Sequence, residues 1–107
     1  MLQLTSQTFD LKVLDSPASV IVMFYASWCS KCSMMKPVAE ELEHKYRSQI
    51  YFYEIDIEQN PALAEKYGAD IVPTFIFFQN GIIQGALQGL IEERTFEERL
   101  KKIFRKS

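Results

Sequence analysis

Apolar residues recur along this chain in two rhythms. Val20, Ile21, Val22, Met23, Phe24 and Tyr25 are apolar at consecutive positions and rich in β-branched and aromatic types, which predicts a central strand covered on both faces. From Cys29 onward the rhythm turns helical. Met34, Val38, Leu42 and Tyr46 are spaced for one face, Met35 and Ala39 lie beside them, and Glu41 with Lys45 and Glu43 with Arg47 pair on the wet side. The pattern predicts an amphipathic helix of about five turns, kinked at Pro37, which removes one backbone donor.

The remaining segments follow the same logic. Leu2 and Leu4 open a short strand, and Ser6 is placed to cap a brief helix carrying Phe9, Val13 and Leu14 before Pro17 halts it. Tyr51, Tyr53, Ile55 and Ile57 alternate with Phe52, Glu54 and Asp56, as in a strand with one mostly apolar face. Asn60-Pro61 starts a short helix and Gly68 stops it. Residues 74–79 and 82–88 are strand-like around the hairpin turn Asn80-Gly81, and Gly85 places the second of them at a sheet edge. Phe96, Leu100, Ile103 and Phe104 form a terminal helical stripe, with Glu97 to Lys101 and Glu98 to Lys102 on its solvent side. Helical crossovers imply parallel pairing in the first part, and the hairpin imposes antiparallel pairing in the second. The expected fold is α/β, a mixed five-stranded sheet flanked by four helices.

Candidate chemistry sits where the strand rhythm hands over to the helix, at Trp28-Cys29-Ser30-Lys31-Cys32, which holds both cysteines of the chain. At this spacing on a helix the Cβ atoms stand roughly 5 to 6 Å apart, whereas a disulfide prefers about 3.5 to 4.5 Å. Such a bond closes under tension and is more easily reduced than a relaxed bridge, so the pair suits cycling between dithiol and disulfide. Zinc needs about four ligands, and one CxxC with the lone His44 does not supply them.

Composition narrows the picture further. At 107 residues the chain is expected to form one domain. Twelve basic residues against 14 acidic ones, scattered along the sequence, give a net charge of -2 and no footprint for nucleic acid or anionic membrane. The longest apolar runs, 20–26 and 71–78, fall well short of the roughly 20 residues that span a bilayer. Residues 1–10 carry no Lys or Arg, unlike a secretory leader, so the mature chain is expected to begin at Met1. Two closely spaced cysteines point to redox use in a reducing cytoplasm.

Taken together these residues resemble the thioredoxin family along nearly the whole chain. The resemblance rests on the apolar strand into Ala26-Ser27-Trp28-Cys29, on Cys32, Pro37, Asn60-Pro61, Lys66-Tyr67-Gly68, Val72-Pro73-Thr74, Asn80-Gly81 and Gly89. It implies the thioredoxin fold, a cis Val72-Pro73 bond facing the cysteines, and a protein disulfide reductase with Cys29 and Cys32 as its catalytic residues. It further implies a substrate groove of Trp28, Ile71, Val72, Pro73, Gly89 and Leu90. No bound cofactor or metal is implied; electrons would come from a flavin- and NADPH-dependent thioredoxin reductase, and the partners would be disulfide-containing proteins met by a monomer.

The chemistry can also be argued from the residues. The attacking species in thiol–disulfide exchange is the thiolate. A helix N-terminus stabilises negative charge at Cys29 by about 0.3 to 1 kcal/mol, and by up to about 2 when partly buried. Lys31 adds a smaller effect, about 0 to 1 kcal/mol for an exposed pair. The Cys29 thiolate would form a mixed disulfide with a partner, and Cys32 would resolve it. Three positions depart from the family pattern: Ser30-Lys31 replaces the usual Gly-Pro, Met23 stands where an aspartate is often buried, and Glu54 stands where a lysine or another polar residue is common. Glu54 or a bound water is therefore expected to take the Cys32 proton. Two alternatives remain open at this level: a binding module with incidental cysteines, and a more oxidising member that forms or shuffles disulfides.

Overall fold

The computed structural model describes residues 1–105. Five strands, β1 (Leu2–Leu4), β2 (Ser19–Tyr25), β3 (Ile50–Asp56), β4 (Thr74–Gln79) and β5 (Ile82–Gln88), form one sheet in the order β1-β3-β2-β4-β5. β1, β3 and β2 run parallel, and β4 and β5 join antiparallel. The helices are α1 (Ser30–Lys45), α2 (Pro61–Lys66), α3 (Glu93–Ile103) and one π-helical turn at Asp10–Leu14. This is the expected α/β arrangement, with the edge position of β5 as Gly85 implied.

β2 lies at the centre because both of its faces are apolar. Ile21 and Met23 point to one layer, where α1 contributes Met35, Ala39 and Leu42 and α3 contributes Phe96 and Leu100. Val20, Val22 and Phe24 point to the other, where Phe9 and Val13 pack with Ala69. Phe96 anchors α3 by meeting Phe75 edge-on, with ring centroids 4.9 Å apart, a geometry worth about 0.5 to 1.5 kcal/mol beyond burial. At the β4–β5 hairpin Asn80 and Gly81 have φ of 54° and 73°, as a type I′ turn requires. A Cβ on Gly81 would sit 2.1 Å from the Leu14 carbonyl oxygen, so glycine is needed there for space as well as conformation.

Four local expectations change. The packed stripe of α1 is Cys32, Met35, Ala39 and Leu42, and Met34 is exposed, because the helix is rotated to bring Cys32 against the sheet. Lys45 pairs with Glu97 of α3 at 2.6 Å in place of Glu41. Ser6 caps nothing; its N–H donates to Asn60 Oδ1 at 2.9 Å, and the first helical segment winds as a π-turn with Asp15 N–H bonding Asp10 O at 2.8 Å. Both faces of β3 are covered, so Glu54 and Asp56 are buried with Phe52.

Candidate active site

β2 hands over to α1 through a tight turn in which Cys29 N–H donates to Ala26 O at 3.2 Å. Cys29 is the N-cap of α1, with extended backbone, and its sulfur accepts the Cys32 N–H at 3.1 Å. A thiol sulfur thus does the capping that a Ser or Asp oxygen usually does. No acidic residue stands in the first turn of α1, so the electropositive end of the helix is left to the sulfur.

The two thiols are both free, and their surroundings differ. Cys29 is 7% exposed and Cys32 4%. Burial pushes the Cys32 thiol up to about 12, and the neighbouring Cys29 sulfur adds to the rise. The inner sulfur therefore keeps its proton at neutral pH, since burial disfavours the charged form.

Facing the cysteines is the entry to β4. The Val72-Pro73 bond is cis, and the Cys29 S–H donates to Val72 O at 3.7 Å. Pro73 O accepts the Gly89 N–H at 2.9 Å, with Gly89 at φ +83°, a conformation that favours glycine. Ile91 N–H reaches Met35 Sδ at 3.4 Å, tying the segment after β5 to α1. The expected groove residues Val72, Pro73 and Gly89 are thus linked to the cysteine turn. Trp28, Ile71 and Leu90, 67%, 61% and 51% exposed, are large apolar surfaces of the same segments. Lys31 is also exposed and forms none of the ion pairs found among the described residues.

Behind Cys32 a cleft of about 170 Å³ is lined by Cys32, Met23, Tyr25, Lys36 and Glu54, among others. Lys36 Nζ lies 3.8 Å from Glu54 Oε1. The Tyr25 phenol is pushed up by burial first, then by the charges of Glu54 and Asp56. Lys36 was not singled out by sequence reasoning. Its signal was available: it stands four residues after Cys32, on the same helix face. Among the described residues no group of three or more His, Cys, Asp or Glu could hold a metal ion, and no helix is long and apolar enough to cross a membrane.

Comparison with known proteins agrees with this geometry. A model of the family described as Thioredoxin matches residues 1–102. The chain is 34% identical over 100 residues to "Thioredoxin 1" of a Nostoc species, covering 94% of each chain. It is 34% identical over 94 residues to "Thioredoxin" of Rickettsia bellii, covering 88% of this chain and 90% of that one. To "Thioredoxin M-type, chloroplastic" of Pisum sativum it is 34% identical over 95 residues, 89% of this chain and 55% of the other. The sheet order, the capping sulfur and these matches converge: the chain belongs to the thioredoxin family and is a thiol–disulfide oxidoreductase whose redox pair is Cys29 and Cys32.

Proposed function

We propose that the chain, acting as one monomeric unit, reduces disulfides of partner proteins in two steps, with Cys29 attacking and Cys32 resolving. The asymmetry between the two sulfurs carries the reading. Cys29 already accepts a backbone N–H at the helix end, a bond that strengthens when the sulfur is ionised, while Cys32 is held protonated by burial. On ionisation Cys29 gives up its bond to Val72 O. That carbonyl is then available to an incoming extended peptide, which can add beside residues 71–73 as a strand.

Attack of the Cys29 thiolate breaks the partner's S–S bond and forms a mixed disulfide. Cys32, three residues away on the same turn, then displaces the partner's second sulfur, and closeness makes this step effectively intramolecular. Main-chain pairing at Val72 with apolar contact at Trp28, Ile71 and Leu90 asks little of the partner's side chains, which suits many disulfide-containing clients. Lys31 lends a screened positive charge to the approach. Recharging of the Cys29–Cys32 disulfide falls to a flavin- and NADPH-dependent thioredoxin reductase, and the cytoplasm is the compartment that suits a dithiol kept reduced.

The test is reduction of insulin disulfides by the purified chain with NADPH and a thioredoxin reductase. The parent chain turns over, and Cys29→Ser falls to background. Full biological activity retained in Cys29→Ser would favour a binding module, and net disulfide formation in a glutathione buffer would favour an oxidant.

A further inference from the structure

Cys32 must lose a proton before it can displace the partner from Cys29, because the thiolate is the nucleophile. Met23, Ala26 and Met35, which share its cluster, carry no side-chain base. The cleft behind it is a way out. Cys32, Ser33, Tyr25, Lys36 and Glu54 all line its wall, and at about 170 Å³ it has room for more than one water. Among the described residues Glu54 is the only carboxylate on that wall, and it is 8% exposed. Lys36 is a loose partner, at 3.8 Å from one Glu54 oxygen and with a half-exposed side chain, so it steadies the carboxylate without holding it in a close bond.

The other groups around Glu54 leave this role to it. From β2, Tyr25 is raised above its ordinary value and stays neutral near pH 7, and Met23 is the register partner of Glu54. On its own strand, Asp56 accepts the Glu58 N–H at 2.8 Å. From β1, uncharged Gln3 bonds the Tyr25 hydroxyl at 2.5 Å, and the Met1 ammonium pairs with Glu40 and Glu43.

We propose that Glu54 accepts the Cys32 proton through water in this cleft, with Lys36 as the positioning residue that aims the carboxylate. This rests on the reductase reading above. With the partner bound to Cys29, the proton passes from Cys32 Sγ through water to a Glu54 oxygen. The electron pair left on Cys32 forms the bond to Cys29 Sγ. The bond from Cys29 to the partner breaks, and the partner sulfur leaves as a thiolate that takes a proton from solvent. Glu54 then releases its proton to water, and the two electrons lost by the cysteine pair reside in the reduced partner.

A chromogenic aromatic disulfide separates the two steps, since the reduced chain releases one thiol when Cys29 attacks and a second when Cys32 resolves. In Glu54→Gln the second release slows about 100-fold near pH 7, the low end for a positioned general base, and the deficit shrinks as rising pH lets hydroxide serve. The first release stays within about two-fold of the parent, and Glu54→Asp recovers part of the lost rate. In Lys36→Met, at a half-exposed helix position, the second release slows about three-fold, the scale of a partly exposed ion pair, the first release and the melting temperature stay parental, and Lys36→Arg restores the lost rate. A second release in Glu54→Gln at the parental rate from pH 5 to 9, or a second release in Lys36→Met at the parental rate, overturns the relay while leaving the reductase intact. A parent chain that yields no first release overturns both.

Discussion

The two ends of α1 use the same ingredients to different ends. At its C-terminal end Lys45 Nζ lies 2.6 Å from Glu97, and the Tyr46 hydroxyl donates to the same carboxylate at 2.5 Å. Those contacts hold Glu97 below the usual carboxylate range and push Tyr46 up to about 12, with burial the first cause for the phenol. At the N-terminal end Lys36 and Glu54 stand 3.8 Å apart beside a cleft, and a buried thiol takes the place of the phenol. A saturated carboxylate clamps two helices. A loosely paired one borders open space beside the thiol. Distance and access, more than residue type, separate the structural cluster from the chemical one.

The comparison predicts a double dissociation, and its largest effect lies at the chemical end. Cys29→Ser loses all disulfide turnover above background yet melts within a few degrees of the parent, as followed by insulin reduction and by circular dichroism. At the structural end Phe96→Ala empties a fully buried site and costs about 3 to 5 kcal/mol in urea unfolding, while the protein that remains folded still turns over. Glu97→Gln removes the charged acceptor of two bonds and costs about 1.5 kcal/mol, again with turnover kept. If Glu97→Gln instead altered turnover at constant stability, the division between the two ends would be wrong.

The pH dependence of stability sharpens the same division. Glu97 has a lowered folded value, so its contribution is complete above the ordinary carboxylate range and is lost as pH falls through that folded value. Cys32 and Tyr46 have raised folded values, so what they contribute is complete below their ordinary values and is lost as pH climbs towards about 12. Thermal melts of the reduced chain therefore decline between about pH 9 and 12, and the disulfide form, which has no Cys32 proton to lose, declines less. The smallest expected effect is that of Lys31→Ala, which slows attack by less than about five-fold, since an exposed charge contributes about 1 kcal/mol at most.

How far the sequence could be read depends on which interactions decide each feature. The strand in β2, the Asn80-Gly81 hairpin and the CxxC at a helix start are set by local chemistry, and all were legible. The orientation of α1 was not. Met34, Val38, Leu42 and Tyr46 keep a helical period, but so do Cys32, Met35, Ala39 and Leu42, and only docking on the sheet selects the second set. Lys45 could equally have met Glu41 on its own helix; the arrival of α3 supplies Glu97 instead. Glu54 looked like the wet side of an alternating strand. It is buried because β3 lies between β1 and β2 with α1 above it, which no period within 50–56 reveals. Lys36 was missed for a related reason, since its value lies in what the neighbouring strand brings opposite it.

The mechanism depends above all on the division of labour between the two sulfurs, and trapping the mixed disulfide probes that division. Cys32→Ser would be mixed at pH 7 with a peptide containing one disulfide, and the intact mass and the site of attachment read by mass spectrometry. A single long-lived peptide adduct is expected, attached at Cys29 and absent from Cys29→Ser. No adduct on Cys32→Ser, or an equally rapid one through Cys32 in Cys29→Ser, would contradict it.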